Sequence, residues 1–198
     1  GSIAFKGEVL ENISPNFIAQ KGVSRTFQNL ALFKRMSVLD NILVGRQLHM
    51  HANFLEVAFQ LPKARAEENE NRQKCEDIVK FLEIEDIRDA PVGKLPYGLQ
   101  KKVELGRALA TESEVLLLDE PMAGMNVEEK RDMCRFILKV NDEIGTTMVL
   151  IEHDMGVVMD ISDSVVVLDY GKIIADCPPN EVRSNQNVID AYLGIAHD

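Results

Sequence analysis

Val115-Leu116-Leu117-Leu118 runs straight into Asp119-Glu120-Pro121, an unbroken apolar stretch that ends in two carboxylates and a proline. Four consecutive branched apolar residues suit a strand buried on both faces, the environment of a parallel sheet. The surroundings repeat the pattern. Residues 127–144 have helical periodicity, Met148-Val149-Leu150-Ile151 is a second apolar run, and a short helix leads to a third, Val165-Val166-Val167-Leu168. Apolar strands separated by helices predict an α/β fold whose mostly parallel sheet is covered on both faces. Asp169-Tyr170-Gly171-Lys172 then turns into Ile173-Ile174-Ala175 as a hairpin, and residues 185–198 read as a terminal helix with a loose tail.

Upstream, Ile3-Ala4-Phe5 breaks at Gly7 and resumes at Val9-Leu10, as a hairpin does, and Ser14-Pro15-Asn16 opens a short helix by cap and first-turn chemistry. Val23-Ser24-Arg25-Thr26-Phe27 alternates as a strand buried on one face. From residue 34 to about 111 the character is helical. Ser37 caps a run with Val38, Leu39, Ile42 and Leu43 at helical spacing, and Leu61-Pro62 precedes a helix over 63–82. That helix is charged at first and amphipathic only at Ile78, Val79 and Leu82, so its polar part reads as a solvated face. Pro91 and Pro96 bracket a loop before a helix over 99–110. The expected organisation is a core made of residues 3–33 and 113–198, split by a helical subdomain at 34–112. Gly1-Ser2, without an initiator Met, reads as a cleavage remnant.

The 198 residues suffice for one sizeable domain or two lobes, and 45% hydrophobic with 27% charged residues describes a globular chain rather than a disordered or fibrous one. Lys and Arg total 22 against 32 Asp and Glu, a formal net charge of -10, which is the wrong sign for a protein that lives on phosphate backbones. No apolar stretch approaches the roughly 20 residues that span a bilayer, so any membrane role is expected to come through a partner. Cys75, Cys134 and Cys177 stand far apart with no CxxC spacing and are expected to be reduced structural thiols in a cytosolic protein.

Ligands of open α/β sheets bind beyond the carboxyl ends of the strands. Asp119 at such an end can hold Mg²⁺ directly or through water, while Glu120 can orient or deprotonate a water; a solvated turn is the plainer alternative. The next apolar run ends in Glu152-His153-Asp154, where His153 can donate to a phosphate oxygen or position a water, although a lone loop histidine is more often inert. Gln28, after the strand at 23–27, can ligate a metal through its carbonyl or simply cap a turn. Leu95-Pro96-Tyr97-Gly98-Leu99-Gln100-Lys101-Lys102 offers either an anion site at a helix N-terminus or an ordinary Pro-Gly helix start.

In this order the pieces resemble the nucleotide-binding subunits of ABC transporters. Gln28 matches the Q-loop glutamine, and residues 95–100 with the helix through Ala110 match the signature motif. Residues 116–119 match Walker B, Glu120 matches the catalytic glutamate, Ala123-Gly124-Met125-Asn126 the D-loop and His153 the switch histidine. The wording TFQNLALF, SVLDNILVG, LPYGLQKKVELGRALA, DEPMAGMN and IEHDM is most similar to ATPase subunits of branched-chain amino acid importers. The resemblance implies a RecA-like P-loop NTPase core with an inserted helical subdomain. It also implies an ATPase that pairs head to tail with a second ATPase subunit and takes ATP and Mg²⁺. Asp119 and Gln28 would serve the metal, Glu120 the attacking water and His153 the γ-phosphate, with Tyr97, Gly98 and Asn126 at the nucleotide. The partner would be a transmembrane permease, placing the subunit in the cytoplasm beside the inner membrane.

Three departures qualify this. A P-loop closes in Gly-Lys-Ser or Gly-Lys-Thr, whereas Gly93-Lys94 and Gly171-Lys172 are followed by Leu95 and Ile173. The family's P-loop region would precede residue 3. In the signature, Pro96 and Tyr97 replace the usual Ser and first Gly, and Leu99 takes the usual Gln place, while Asn126 stands where many relatives carry Asp. The chain is therefore expected to bind ATP weakly alone, to be inactive alone, and to self-associate through unpaired strand edges. A non-hydrolytic oligomeric or regulatory binding module is the alternative reading. A soluble ATPase acting on DNA or ribosomes is disfavoured by the acidic balance.

Overall fold

The computed structural model describes residues 1–26, 30–52, 56, 59 and 61–193. The chain divides into two compact units, Gly1–Ile151 and Glu152–Asp198.

The first unit opens with a small antiparallel hairpin of β1 (Ala4–Phe5) and β2 (Glu8–Val9), where the sequence predicts one. Helix α1 (Pro15–Gln20) follows, with Pro15 in its first turn. Ser14 is extended as a cap residue should be, but its side chain makes no cap hydrogen bond; its carbonyl alone receives the N–H groups of Phe17 and Ile18. The central sheet is wholly parallel, in the order β3 (Val23–Arg25), β4 (Val115–Asp119), β5 (Thr147–Ile151). Val23, Val115 and Thr147 lie side by side at one end, and Asp119 lies opposite Ile151 at the other. Leu116 and Leu118 on one face of β4 are buried and Val115 and Leu117 on the other are half-buried, so the apolar run is more fully covered on one side than on the other, where the sequence predicts both faces buried. A hydroxyl cluster of Ser24, Thr111 and Ser113 ties β3 to the approach to β4.

Between β3 and β4 the chain is helical: α2 (Val38–Val44), α3 (Pro62–Phe81) and α4 (Tyr97–Leu109). Ser37 caps α2 as expected, its Oγ accepting from the N–H of Asp40 at 3.0 Å. Val38, Leu39, Ile42, Val79, Leu82 and Val103 are buried here. Cys75 is buried among them, and burial pushes its thiol up to about 11, so it stays protonated and inert. Polar residues also enter this core, each with partners. Asn41 accepts from the N–H of Phe33 and donates to the carbonyls of Phe33 and Ser37, fixing the segment before α2. Arg46, with only 3% of its side chain exposed, donates to Asn71 Oδ1 at 2.8 Å and Ala110 O at 2.9 Å and lies 3.0 Å from Glu112. After β4, helix α5 (Val127–Lys139) continues as one π-helical turn to Ile144, stopped by Gly145 in the left-handed region. The two segments together fill the predicted helix over 127–144.

The second unit contains α6 (Met155–Ile161), β6 (Val165–Asp169), β7 (Lys172–Cys177), α7 (Pro179–Val182) and α8 (Gln186–Leu193). Its core is Val165, Ala175, Val182 and Val188. The sequence places 165–168 among the parallel strands, but β6 pairs antiparallel with β7 in a separate sheet. The cause is the loop: Tyr170 and Gly171 both have positive φ, the type I′ geometry that joins two antiparallel strands in two residues. Val166 and Leu168 are accordingly exposed, as are Val149 and Ile151 on β5, whereas the corresponding residues of β4 are partly covered. No helix among the described residues is long and apolar enough to cross a membrane.

Arg46 provides a direct check on the polar core. Truncation in R46A strands the Asn71 amide, the Ala110 carbonyl and Glu112, and is expected to cost about 2 to 4 kcal/mol, read as a lowered urea midpoint with an unchanged slope.

Candidate functional site

The polar end of the sheet begins with β4. A strand covered on both faces presents charge most readily where it emerges, and Asp119 is its last residue. The carboxylate is 19% exposed, and its Oδ2 accepts from Arg25 Nη2 at 2.6 Å. Arg25 ends β3, the neighbouring strand. The next residue, Thr26, donates its N–H to Leu117 O at 2.9 Å and accepts the N–H of Asp119 on its hydroxyl at 3.3 Å. Asp119 is thus held by backbone and by side chain from one short segment of β3.

Glu120 turns the chain away from the sheet. Its φ is +45°, a left-handed conformation that costs a residue with a Cβ about 1 kcal/mol. The strain persists because the turn is fixed on both sides: the Glu120 N–H donates to Ile151 O at 2.9 Å, its carbonyl accepts from Ala123, and Pro121 and Met122 are buried behind it. The backbone that carries Glu120 is consequently fixed where the chain leaves the sheet.

The same turn meets the start of α4. Gly124 has φ +77°, and a Cβ there would lie 3.2 Å from Cε1 of Tyr97. Gly98, buried in the first turn of α4, has still less room, since a Cβ would lie 2.6 Å from Cδ of Glu129. Glu129 cannot easily give way because it closes a capping box on α5: Asn126 Oδ1 accepts from the Glu129 N–H, and Glu129 Oε2 accepts from the Asn126 N–H, both at 2.9 Å. Lys101, buried one turn into α4, lies 3.5 Å from Glu104 and 5.9 Å from the Tyr97 ring centroid. Lys102 pairs with Asp132 and sits 4.8 Å over the Phe136 ring, joining α4 to α5.

The structure therefore brings Asp119 and Glu120 onto one turn, and Tyr97, Gly98 and Asn126 onto the adjoining helix starts. His153 is exposed and belongs to the second unit, two residues after β5 in the chain, with the following Asp154 capping α6 through the N–H of Val157. Gln28 lies outside the described residues. Sequence reasoning missed Arg25 and Glu129. The Asn126-x-x-Glu129 spacing is a readable capping signal; the pairing of Arg25 with Asp119 needs the strand register. A cavity of about 570 Å³, lined by Ile78, Leu109, Val115 and Ile144 among others, opens at the amino ends of β4 and β5, away from these carboxylates. Among the described residues no cluster of three or more His, Cys, Asp or Glu forms a ready metal cage, so a cation here would depend on Asp119 with water and ligand oxygens, the manner in which Mg²⁺ is usually held.

The family description for ABC transporters matches residues 1–123. The chain belongs to the ABC transporter ATP-binding family. It is 40% identical over 196 residues to the high-affinity branched-chain amino acid transport ATP-binding protein BraF of Pseudomonas aeruginosa, covering 99% of this chain and 77% of that one. The corresponding LivG protein of Escherichia coli is 34% identical with the same coverage. A solved ATP-binding cassette of an ABC transporter in its ADP conformation superposes with a TM-score of 0.80 at 30% identity, covering 98% of this chain and 77% of its own. The ABC cassette fold anticipated from the motif order is thereby established.

Substitutions at two positions probe the ABC turn. E120G and E120A both remove the carboxylate, but only glycine relieves the left-handed backbone, so E120G is expected to melt higher than E120A by the equivalent of about 1 kcal/mol. G98A is expected to lose about 1 to 2 kcal/mol by forcing Glu129 out of its capping box. Because the clash needs both side chains, an E129A background should remove most of that additional loss in a double-mutant cycle.

Proposed function

We propose that this chain is the ATP-binding subunit of an importer for branched-chain amino acids, working with a membrane permease and a second ATPase subunit. The observation that carries this reading is the 40% identity to BraF across nearly the whole chain, together with a carboxylate pair on a rigid turn at the carboxyl end of β4.

The donor set fits Mg²⁺. Asp119 is a hard oxygen ligand at a strand end, and the amide oxygen of Gln28 is of the same class. When bound, Mg²⁺ supplies Lewis-acid polarisation of phosphate oxygens. The chain's own residues do the rest. Glu120, carried on the fixed turn, orients and polarises the water. The first turn of α4, at Tyr97 and Gly98, turns backbone N–H groups and the positive end of a 13-residue helix toward phosphate held by the other subunit. Asn126 fixes the start of α5 beside it. His153 contacts the terminal phosphate, and Gln28 links the metal to the permease. Residues 34–112 act as the helical lobe against which the permease docks.

These 198 residues contain no Gly-Lys-Ser or Gly-Lys-Thr, so the backbone cradle and lysine that grip the β and γ phosphates are not supplied by them. Calorimetry of the 198-residue chain with Mg-ATP is expected to give a Kd weaker than about 0.1 mM, or no heat; micromolar binding would overturn that part. Affinity capture with the tagged chain is expected to retain a branched-chain amino acid permease and not a sulfate permease, and the reverse outcome would reassign the cargo.

A further inference from the structure

We propose that Arg25 is a positioning residue: an exchangeable counter-ion that neutralises Asp119 and has to leave before a divalent cation can take that carboxylate. The inference rests on the reading of Asp119 as the metal ligand. It starts from the 2.6 Å contact between Arg25 Nη2 and Asp119 Oδ2. The register places Arg25 opposite Leu117, two residues short of Asp119, so the guanidinium reaches along the strand to cover the carboxylate.

The two ends of the pair differ in a way that suits exchange. Asp119 is only 19% exposed, and a carboxylate so placed is poorly solvated without an opposite charge. Arg25 is 58% exposed, so it can swing into water without disturbing any packing. An ion pair with such an exposed partner is worth roughly 0 to 1 kcal/mol, small enough for a competing cation to break. Arg46 shows the opposite design, since it is enclosed by Asn71, Ala110 and Glu112 and has nowhere to go. Arg25 competes with metal as a cation for a cation site. Thr26 keeps the Asp119 backbone in place throughout, through the N–H bond to its hydroxyl, so departure of the guanidinium frees the carboxylate without moving the strand.

Two readouts on the 198-residue chain test this, with Mn²⁺ alone as the probe. Mn²⁺ affinity by electron paramagnetic resonance is expected to rise about three- to five-fold in R25A, the fold equivalent of releasing an ion pair of that strength, whereas a merely structural Arg25 would leave it unchanged or weaken it. In the wild-type chain, Mn²⁺ is expected to speed modification of Arg25 by phenylglyoxal several-fold, followed by peptide mass spectrometry, while the exposed Arg131 keeps its rate. D119N should make Arg25 fast without Mn²⁺ and insensitive to it. If D119N binds Mn²⁺ as tightly as the wild type, the metal-ligand reading of Asp119 fails. If D119N loses Mn²⁺ but R25A binds no tighter and Arg25 reacts no faster with Mn²⁺ present, the metal reading stands and the exchange proposal is overturned.

Discussion

The parallel pairing of β4 between β3 and β5 is the constraint on which everything else in the first unit hangs. With neighbours on both edges, Leu116 and Leu118 buried and Val115 and Leu117 half-buried, β4 has little room along its length for a charged side chain. Polarity is driven to its exit, where Asp119 and Glu120 stand. The register then selects the company those carboxylates keep. Ile151 of β5 receives the Glu120 N–H, and the end of β3 supplies the arginine and the threonine hydroxyl that hold Asp119. A shift of one residue in the β3 pairing would dissolve both contacts to Asp119, and a shift in the β5 pairing the contact to Glu120.

Beyond the strand, precision comes from shortage of space. Gly98 faces Glu129 at a distance that leaves no room for a Cβ, Gly124 has a tight approach to Tyr97 on a left-handed backbone, and the capping box keeps Glu129 where it is. The starts of α4 and α5 are consequently one joint rather than two helix ends that happen to be near. Lys102 with Asp132, and the rings of Tyr97 and Phe136 under lysine ammonium groups, extend that joint along both helices. A motion of one helix start must be carried by the other.

Much of this was legible in the residues. The run Val115-Leu116-Leu117-Leu118 announces a doubly covered strand, and the polar pair after it announces a site, because both follow from local burial. The helical segment is equally plain, although α4 starts at Tyr97 rather than Leu99: Pro96 sits outside the helix and leaves Tyr97 free to begin it. What a linear reading misses is partner choice. Val165-Val166-Val167-Leu168 looks like its parallel counterparts, and although the hairpin after it is readable at Tyr170-Gly171, its place in a sheet apart from β3, β4 and β5 is not. The left-handed backbone of Glu120 is hidden because nothing in a glutamate signals it. The hold of Arg25 on Asp119 is hidden because 94 residues separate them.

The hydroxyl cluster that joins Ser24 to Thr111 and Ser113 has a thermodynamic meaning as well. It closes a loop of 87 residues, and bringing the ends of a flexible loop that long together costs on the order of 4 kcal/mol of chain entropy. Three hydroxyls cannot supply that. The intervening helices must, by packing Ile42, Val79, Leu82 and Val103 into a core of their own and so shortening the effective span to be closed. The helical segment is then the closure of the parallel sheet: without its compaction β3 has no means of finding β4, and cooperativity between lobe and sheet is built into the connectivity.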